Sequence, residues 1–183
     1  MKKILLVFAL LFSVNLATAQ TTVGDVTLPN KVTLSGADLQ LNGAGMREKF
    51  WIDLYVGGLY VQTKSADANT IINADEPMAI KLHIVSGMVS QSKMVGAVKE
   101  GFEKSTVGVA TPAEQAKFIT FFNDEITKEN VFDIVYANGE TAVYKNGAKK
   151  GSIPGLAFKK ALFGIWLGKK PADKNLKKGM LGK

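Results

Sequence analysis

Residues 41–61 read LNGAGMREKFWIDLYVGGLYV. From Phe50 to Val61 the apolar side chains alternate between two faces, with Ile52, Leu54, Val56 and Tyr60 on one and Trp51, Tyr55, Leu59 and Val61 on the other. A strand that is apolar on both faces lies between two covering layers, so this stretch predicts the central strand of a covered sheet. Gly57-Gly58 removes two side chains in mid-strand and points to a bulge or to a close approach by another element. Before this strand, Asn42-Gly43 reads as a turn. Gly43-Ala44-Gly45 lacks the third glycine and the strand-then-helix setting of a dinucleotide loop, so it is not read as a phosphate cradle.

The flanking segments extend the pattern. Lys31–Leu34 and Leu39–Leu41 alternate apolar and polar residues between the turn formers Pro29-Asn30 and Ser35-Gly36, which predicts short strands. Downstream, Ala66–Asn73 predicts a short helix and Met78–Val85 a strand. Met78, Ile80, Leu82 and Ile84 share one face of that strand, and the lone histidine, His83, is read on the other face as an ordinary hydrogen-bonded or exposed residue. Ser90 caps a helix carrying Met94, Val98 and Phe102. Thr111, Pro112 and Glu114 form a capping box before Phe118, Ile119 and Phe122.

Asn138-Gly139 closes a hairpin over Val131–Lys145, because both residues accept the positive φ of a type I′ turn, and Asn146-Gly147 extends it to a three-strand meander through Ile153. Phe158, Leu162 and Ile165 mark a helix that stops at Gly168 and Pro171. Leu176 and Met180 mark a last short one. Several strands, two helices, three strands and further helices, in that order, predict an α+β fold with an antiparallel sheet.

The 183 residues include no cysteine, which excludes a disulfide framework, a thiolate metal site and a cysteine nucleophile. One histidine makes a Ser/His/Asp triad or a histidine-rich metal centre a poor reading, and neither cofactor nor metal is expected. Lys2 and Lys3, the apolar run Ile4–Phe12 and the small-x-small Ala17-Thr18-Ala19 together read as an export signal over residues 1–19. The mature chain, a single domain over residues 20–183, then starts at Gln20 in the periplasm or outside the cell. The apolar run is shorter than the roughly 20 residues that span a bilayer, and no later segment is long and apolar enough to do so. Without Lys2 and Lys3 the formal charge of +7 falls to +5. The lysines are scattered, which argues against nucleic acid as a partner. Lys169, Lys170, Lys174, Lys177 and Lys178 cluster near the C-terminus, read as a solvated helix face with weak attraction to anionic membrane surfaces as the alternative.

Among 23 basic residues Arg47 is the one arginine. A chain that uses lysine wherever charge alone suffices either needs a planar five-donor group at this position, to grip a carboxylate or enolate, or carries a lone arginine at a strand end. Composition leaves both readings open. Were residues 47–55 one continuous strand, Arg47 and Tyr55 would stand ~26 Å apart at ~3.3 Å per residue. They can share a ligand only if the chain turns near Glu48-Lys49 and puts Arg47 on the neighbouring strand.

The run Leu41–Arg47, followed by Tyr55-Val56-Gly57-Gly58-Leu59-Tyr60, resembles the chalcone isomerase-like family. Ala113–Phe118 with Phe121–Glu125, Lys145-Asn146-Gly147 with Gly151–Pro154, and Phe158–Pro171 with Ile165-Trp166-Leu167-Gly168 resemble that family's helix pair, late hairpin and closing helix, the last in its secreted bacterial branch. The resemblance spans roughly residues 25 to 182. It implies an open-faced β-sandwich, a large antiparallel sheet with helices on one face and short strands on the other, and a ligand cleft between helices and sheet. In the fatty-acid-binding members an arginine and a strand tyrosine hold the ligand carboxylate, and these match Arg47 and Tyr55. In the plant enzymes the arginine steers a chalcone phenolate, aided by a tyrosine and an asparagine on the first long helix. Residues 89–105 contain neither, so the proton-handling groups for ring closure are incomplete. The leading expectation is therefore a secreted, non-enzymatic binder of a small amphipathic carboxylate. Arg47 and Tyr55 would grip its head, and Phe102, Phe118 and Phe122 would line the tail region. The alternatives are an isomerase or lyase acting on an unsaturated carbonyl compound, and a structural partner protein of the envelope.

Overall fold

The computed structural model describes residues 20–183, and the export signal read over residues 1–19 lies outside them. The alternating segments become nine strands. β1 (Gln20–Val23) and β2 (Val26–Pro29) pair as a separate ribbon. β3 (Lys31–Leu34), β4 (Ala37–Lys49), β5 (Ile52–Val61), β6 (Met78–Ile84), β7 (Val131–Ala137), β8 (Glu140–Lys145) and β9 (Ala148–Pro154) form one sheet in chain order. Every neighbouring pair is antiparallel. α1 (Ala68–Asn73) links β5 to β6, α2 (Gln91–Lys104) and α3 (Pro112–Thr120) lie between β6 and β7, and α4 (Leu156–Leu167) and α5 (Lys174–Met180) close the chain.

The two faces of the sheet bury separate cores. Tyr55, Leu59, Ile80, Leu82, Phe132 and Ile134 pack against the helices. Val56, Tyr60, Ala79 and Val135 pack on the opposite face with Val26 and Leu28 of the β1–β2 ribbon. This is the antiparallel α+β architecture expected, with the helical layer on one side and short strands on the other. The capping box at Thr111 and Glu114 is formed, and Asn138-Gly139 and Asn146-Gly147 both sit at hairpin turns with positive φ. His83 points away from the helical core and meets Glu129 with Nε2 to Oε2 at 3.0 Å.

Two expectations need correction. Asn42-Gly43 is no turn, because β4 runs through it with Asn42 as an extra residue between the Leu41–Tyr60 and Gly43–Leu59 pairs. The Asn42 side chain is satisfied there: it donates to the Ser65 carbonyl at 3.0 Å and the Met180 carbonyl at 2.8 Å, and accepts from the Ser65 amide at 2.8 Å. The following strand begins at Ile52 rather than Phe50, since Phe50 and Trp51 are the two turn residues of the β4–β5 hairpin. Their φ values of 53° and 60° lie in the left-handed region, which costs a bulky residue on the order of 1–3 kcal/mol. Apolar alternation counts such residues into the strand because it reads side-chain type and not backbone handedness.

The glycines at 43, 45 and 57 exist for α5. A Cβ on Gly43 would lie 2.2 Å from the carbonyl oxygen of Gly179, and one on Gly57 would lie 2.6 Å from Cε of Met180. The C-terminal helix thus rests directly on the backbone of β4 and β5, and the close approach read from Gly57-Gly58 is made by this helix on one face and by Leu28 on the other. Gly43→Val should push α5 off the sheet and lower stability by about 1–3 kcal/mol, visible as a lower Tm and as faster proteolysis of the C-terminal segment.

α4 is almost wholly buried, including Lys159. The Lys159 ammonium donates to the carbonyls of Ile71 (3.0 Å), Ile72 (3.0 Å) and Ala74 (2.9 Å), so all three of its protons close the C-terminal end of α1, where the helix leaves carbonyls unpaired. It also stands 5.3 Å from the Phe163 ring centre and 5.4 Å from that of Tyr136. Burial, with the Lys160 charge adding to it, lowers its pKa to about 8, which keeps it protonated at neutral pH. Lys159→Met fills the same space but strands these carbonyls. A loss of about 1–3 kcal/mol in denaturant unfolding at pH 7 is expected, and an unchanged midpoint would show that the carbonyls find other donors.

Candidate functional site

The chain turns at Phe50-Trp51, directly after Glu48-Lys49, and the consequence is direct pairing of Arg47 on β4 with Tyr55 on β5. The register then slips, because Glu48 faces Asp53 and Leu54 is left as an extra residue. In a regular strand Leu54 and Tyr55 would point to opposite faces; the bulge lets both pack on the helical side. Local irregularity at the end of the hairpin therefore turns two strand residues toward one space.

That space is a cavity of about 490 Å³ between the β4–β5 hairpin end, Met88-Val89 and α2, well inside the range of small-molecule sites. Its inner wall is Tyr55, Leu54, Val89 and Met94, with Ile52 and Ala97 beside them. Lys93, Ala97 and Glu100 recur at helical spacing, so one face of α2 supplies the whole opposite side. Phe50, Met88, Lys93 and Glu100 are exposed and form the mouth.

At the inner end the polar groups converge on one oxygen. Nη1 of Arg47 donates to the Tyr55 hydroxyl at 3.3 Å, and Nε1 of Trp166 on α4 donates to the same oxygen at 2.9 Å. A phenol offers one proton and two acceptor positions. With both positions occupied, the Tyr55 proton can only be given away, and among the described residues no acceptor receives it. The Tyr55 side chain is almost inaccessible, with 2% of its surface exposed, so a fully solvated hydroxyl is not the alternative. Arg47 is half-buried and has no carboxylate within 4 Å among the described residues. The nearby acid, Glu100, is engaged by Lys104, whose hydrogen bond and charge hold its carboxyl below the usual range, with Lys49 and Arg47 adding to the effect. The cavity is thus lined by a guanidinium and by a tyrosine whose hydroxyl proton has no acceptor among the described residues, an arrangement that suits an anion. Among the described residues no three His, Cys, Asp or Glu side chains gather as metal ligands.

The structure brings Arg47 and Tyr55 together and places Phe102, Phe118 and Phe122 elsewhere. Phe118 sits edge-on to Phe102 at 5.9 Å and to Phe122 at 5.4 Å, with Phe158 and Phe132 continuing the cluster. These rings are packed against one another in the core, and none of them lines the cavity, whose apolar wall is made by Ile52, Leu54, Met88, Val89 and Met94 with the Tyr55 and Phe50 rings instead. A stripe at helical spacing marks a buried face without saying whether the face meets a void or another ring. Trp166 was missed as a site residue. A buried tryptophan in an apolar helix must find an acceptor for its indole proton, and that requirement was the available signal.

Comparison with known proteins places the fold. The crystal structure of the Arabidopsis thaliana fatty-acid binding protein AtFAP1 superposes with a TM-score of 0.68 at 21% sequence identity, covering 86% of this chain and 92% of that one. That likeness is one of fold. No curated protein matches by sequence. The sequence profile described as chalcone isomerase-like matches residues 20–182, and the chain belongs to the chalcone isomerase-like family.

Proposed function

We propose that this protein binds, without chemical turnover, a small apolar ligand with an anionic head of the fatty-acid type. The observation that carries the reading is the Tyr55 hydroxyl. Both its acceptor positions are filled by Arg47 and Trp166, which leaves its proton free to be donated to a ligand, beside a guanidinium with no carboxylate partner among the described residues. A carboxylate satisfies both at once, one oxygen taking the Tyr55 proton and the other an Arg47 N–H. The tail then lies along Leu54, Val89 and Met94. That the structural neighbour is named a fatty-acid binding protein supports the same class of ligand. The apolar run and small-x-small site of residues 1–19 support action outside the cytoplasm, with the mature chain starting at Gln20.

Calorimetry with saturated fatty acids of increasing length tests the reading. Each buried methylene contributes ~0.8 kcal/mol, so affinity should rise about four-fold per carbon and level off when the cavity is full. The matching alcohols should bind far more weakly. Arg47→Lys keeps the charge and loses the planar fork. It should cost about ten-fold or more in affinity with little change in Tm, and equal affinities for wild type and variant would overturn the anion grip. Tyr55→Phe should weaken binding less than Arg47→Lys. It should destabilise more, by about 1–3 kcal/mol, because the Trp166 indole proton is left buried without an acceptor. Turnover of a chalcone by the wild type would replace this reading with the isomerase one.

For the location, N-terminal sequencing of the protein recovered from outside the cytoplasm should begin at Gln20; a chain still carrying Met1 would contradict export by cleavage.

A further inference from the structure

Among the described residues, four two-residue hairpin turns have positive φ at both positions. Three of them, Ser35-Gly36, Asn138-Gly139 and Asn146-Gly147, use glycine second, the residue that enters this region without a steric cost. The fourth, joining β4 to β5, uses Phe50-Trp51. Packing inside the fold does not compensate for the choice, since Phe50 is 77% and Trp51 91% exposed. A strained turn that displays two aromatic rings to solvent, in a chain that elsewhere uses glycine for the same turn, is explained by something the rings meet outside the molecule.

We propose that this hairpin tip inserts Phe50 and Trp51 into the interfacial layer of a bilayer containing anionic lipid, and that the cavity mouth thereby opens onto the membrane. The clause about the cavity rests on the ligand reading above; the docking itself does not. Among the described residues four large apolar side chains are exposed; two of them, Phe50 and Met88, line this mouth, and a third, Trp51, is the next residue of the same turn. Basic groups flank them. The Lys49 ammonium stands 5.7 Å from the Phe50 ring centre and Lys93 lines the mouth from α2, while Lys104 and Lys170 lie with Arg47 on the adjoining surface. The acids there are Glu48, Asp53 and Glu100, and Glu100 is paired with Lys104, so the rim remains net positive toward anionic head groups. The shape favours lipid over protein. Two side chains at a hairpin tip fall far short of the roughly 800 Å² that each partner buries in a stable protein interface, whereas aromatic rings beside basic residues suit the head-group layer.

The test uses the protein after removal of residues 1–19, which would otherwise bring their own apolar run to the membrane. It should co-sediment with vesicles of phosphatidylcholine mixed with phosphatidylglycerol, bind phosphatidylcholine alone more weakly, and be released by salt. In Trp166→Phe, Trp51 is the only tryptophan left, and its emission should shift to the blue on the mixed vesicles and be quenched by brominated lipid. The double variant Phe50→Asn with Trp51→Gly installs the turn used elsewhere in the sheet. It should lose vesicle affinity by about ten-fold or more and unfold at a higher temperature. A wild type that ignores the mixed vesicles, a double variant that binds them as well as wild type, or one less stable than wild type would each overturn the proposal. Vesicle binding without fatty-acid binding would retain it and remove the cavity reading, and the converse result would do the reverse.

Discussion

The antiparallel pairing of β4 with β5 is the constraint on which the rest depends. It carries two irregularities, an extra Asn42 on one strand and an extra Leu54 on the other, and each is put to use. The first rotates the register so that Leu41 serves the ribbon-side core while Gly43 faces the helices and admits the backbone of α5. The second turns Leu54 and Tyr55 to the same side and makes the end of the hairpin concave. A regular ladder of the same residues would satisfy the backbone equally well and would have neither the seat for α5 nor the cavity.

At the inner end of that cavity a short chain of hydrogen bonds runs from α4 through Trp166 to Tyr55 and on to Arg47. Each member is held by a different part of the fold: Trp166 by an almost wholly buried helix, Tyr55 by a central strand, Arg47 by the strand opposite it. Such a network fixes the Tyr55 oxygen between two donors, so on the proposed reading binding need not reorganise the polar end. Rigidity around the polar end contrasts with the rim, where Phe50, Met88, Lys93 and Glu100 are exposed. Stability and recognition are thus separated along one hairpin, with the packed glycine contact at one end and the strained turn at the other.

Much of this was legible from residue order alone. Period-two alternation, the Thr111–Glu114 capping box and the two Asn-Gly turns are local signals, because backbone handedness and hydrogen bonding over a few residues produce them. The singular arginine was visible as a count, and the family resemblance paired it with Tyr55. The aromatic residues Phe102, Phe118 and Phe122 were equally visible and were assigned to a ligand wall, yet they fill one another's space.

The sequence by itself determined most of the elements, their order and the α+β class, since each follows from side-chain periodicity or from short-range chemistry. Tertiary structure alone decided which apolar face borders a void and which borders another ring, because that depends on volumes contributed by segments far apart in the chain. It also decided that the hairpin turns at Phe50-Trp51 and that Asn42 is a bulge, choices made by register across β4 and β5. And it decided the donor role of the Tyr55 hydroxyl, which requires an indole 111 residues away to occupy the second acceptor position. No local pattern encodes that meeting; the packing of α4 over the end of the sheet does.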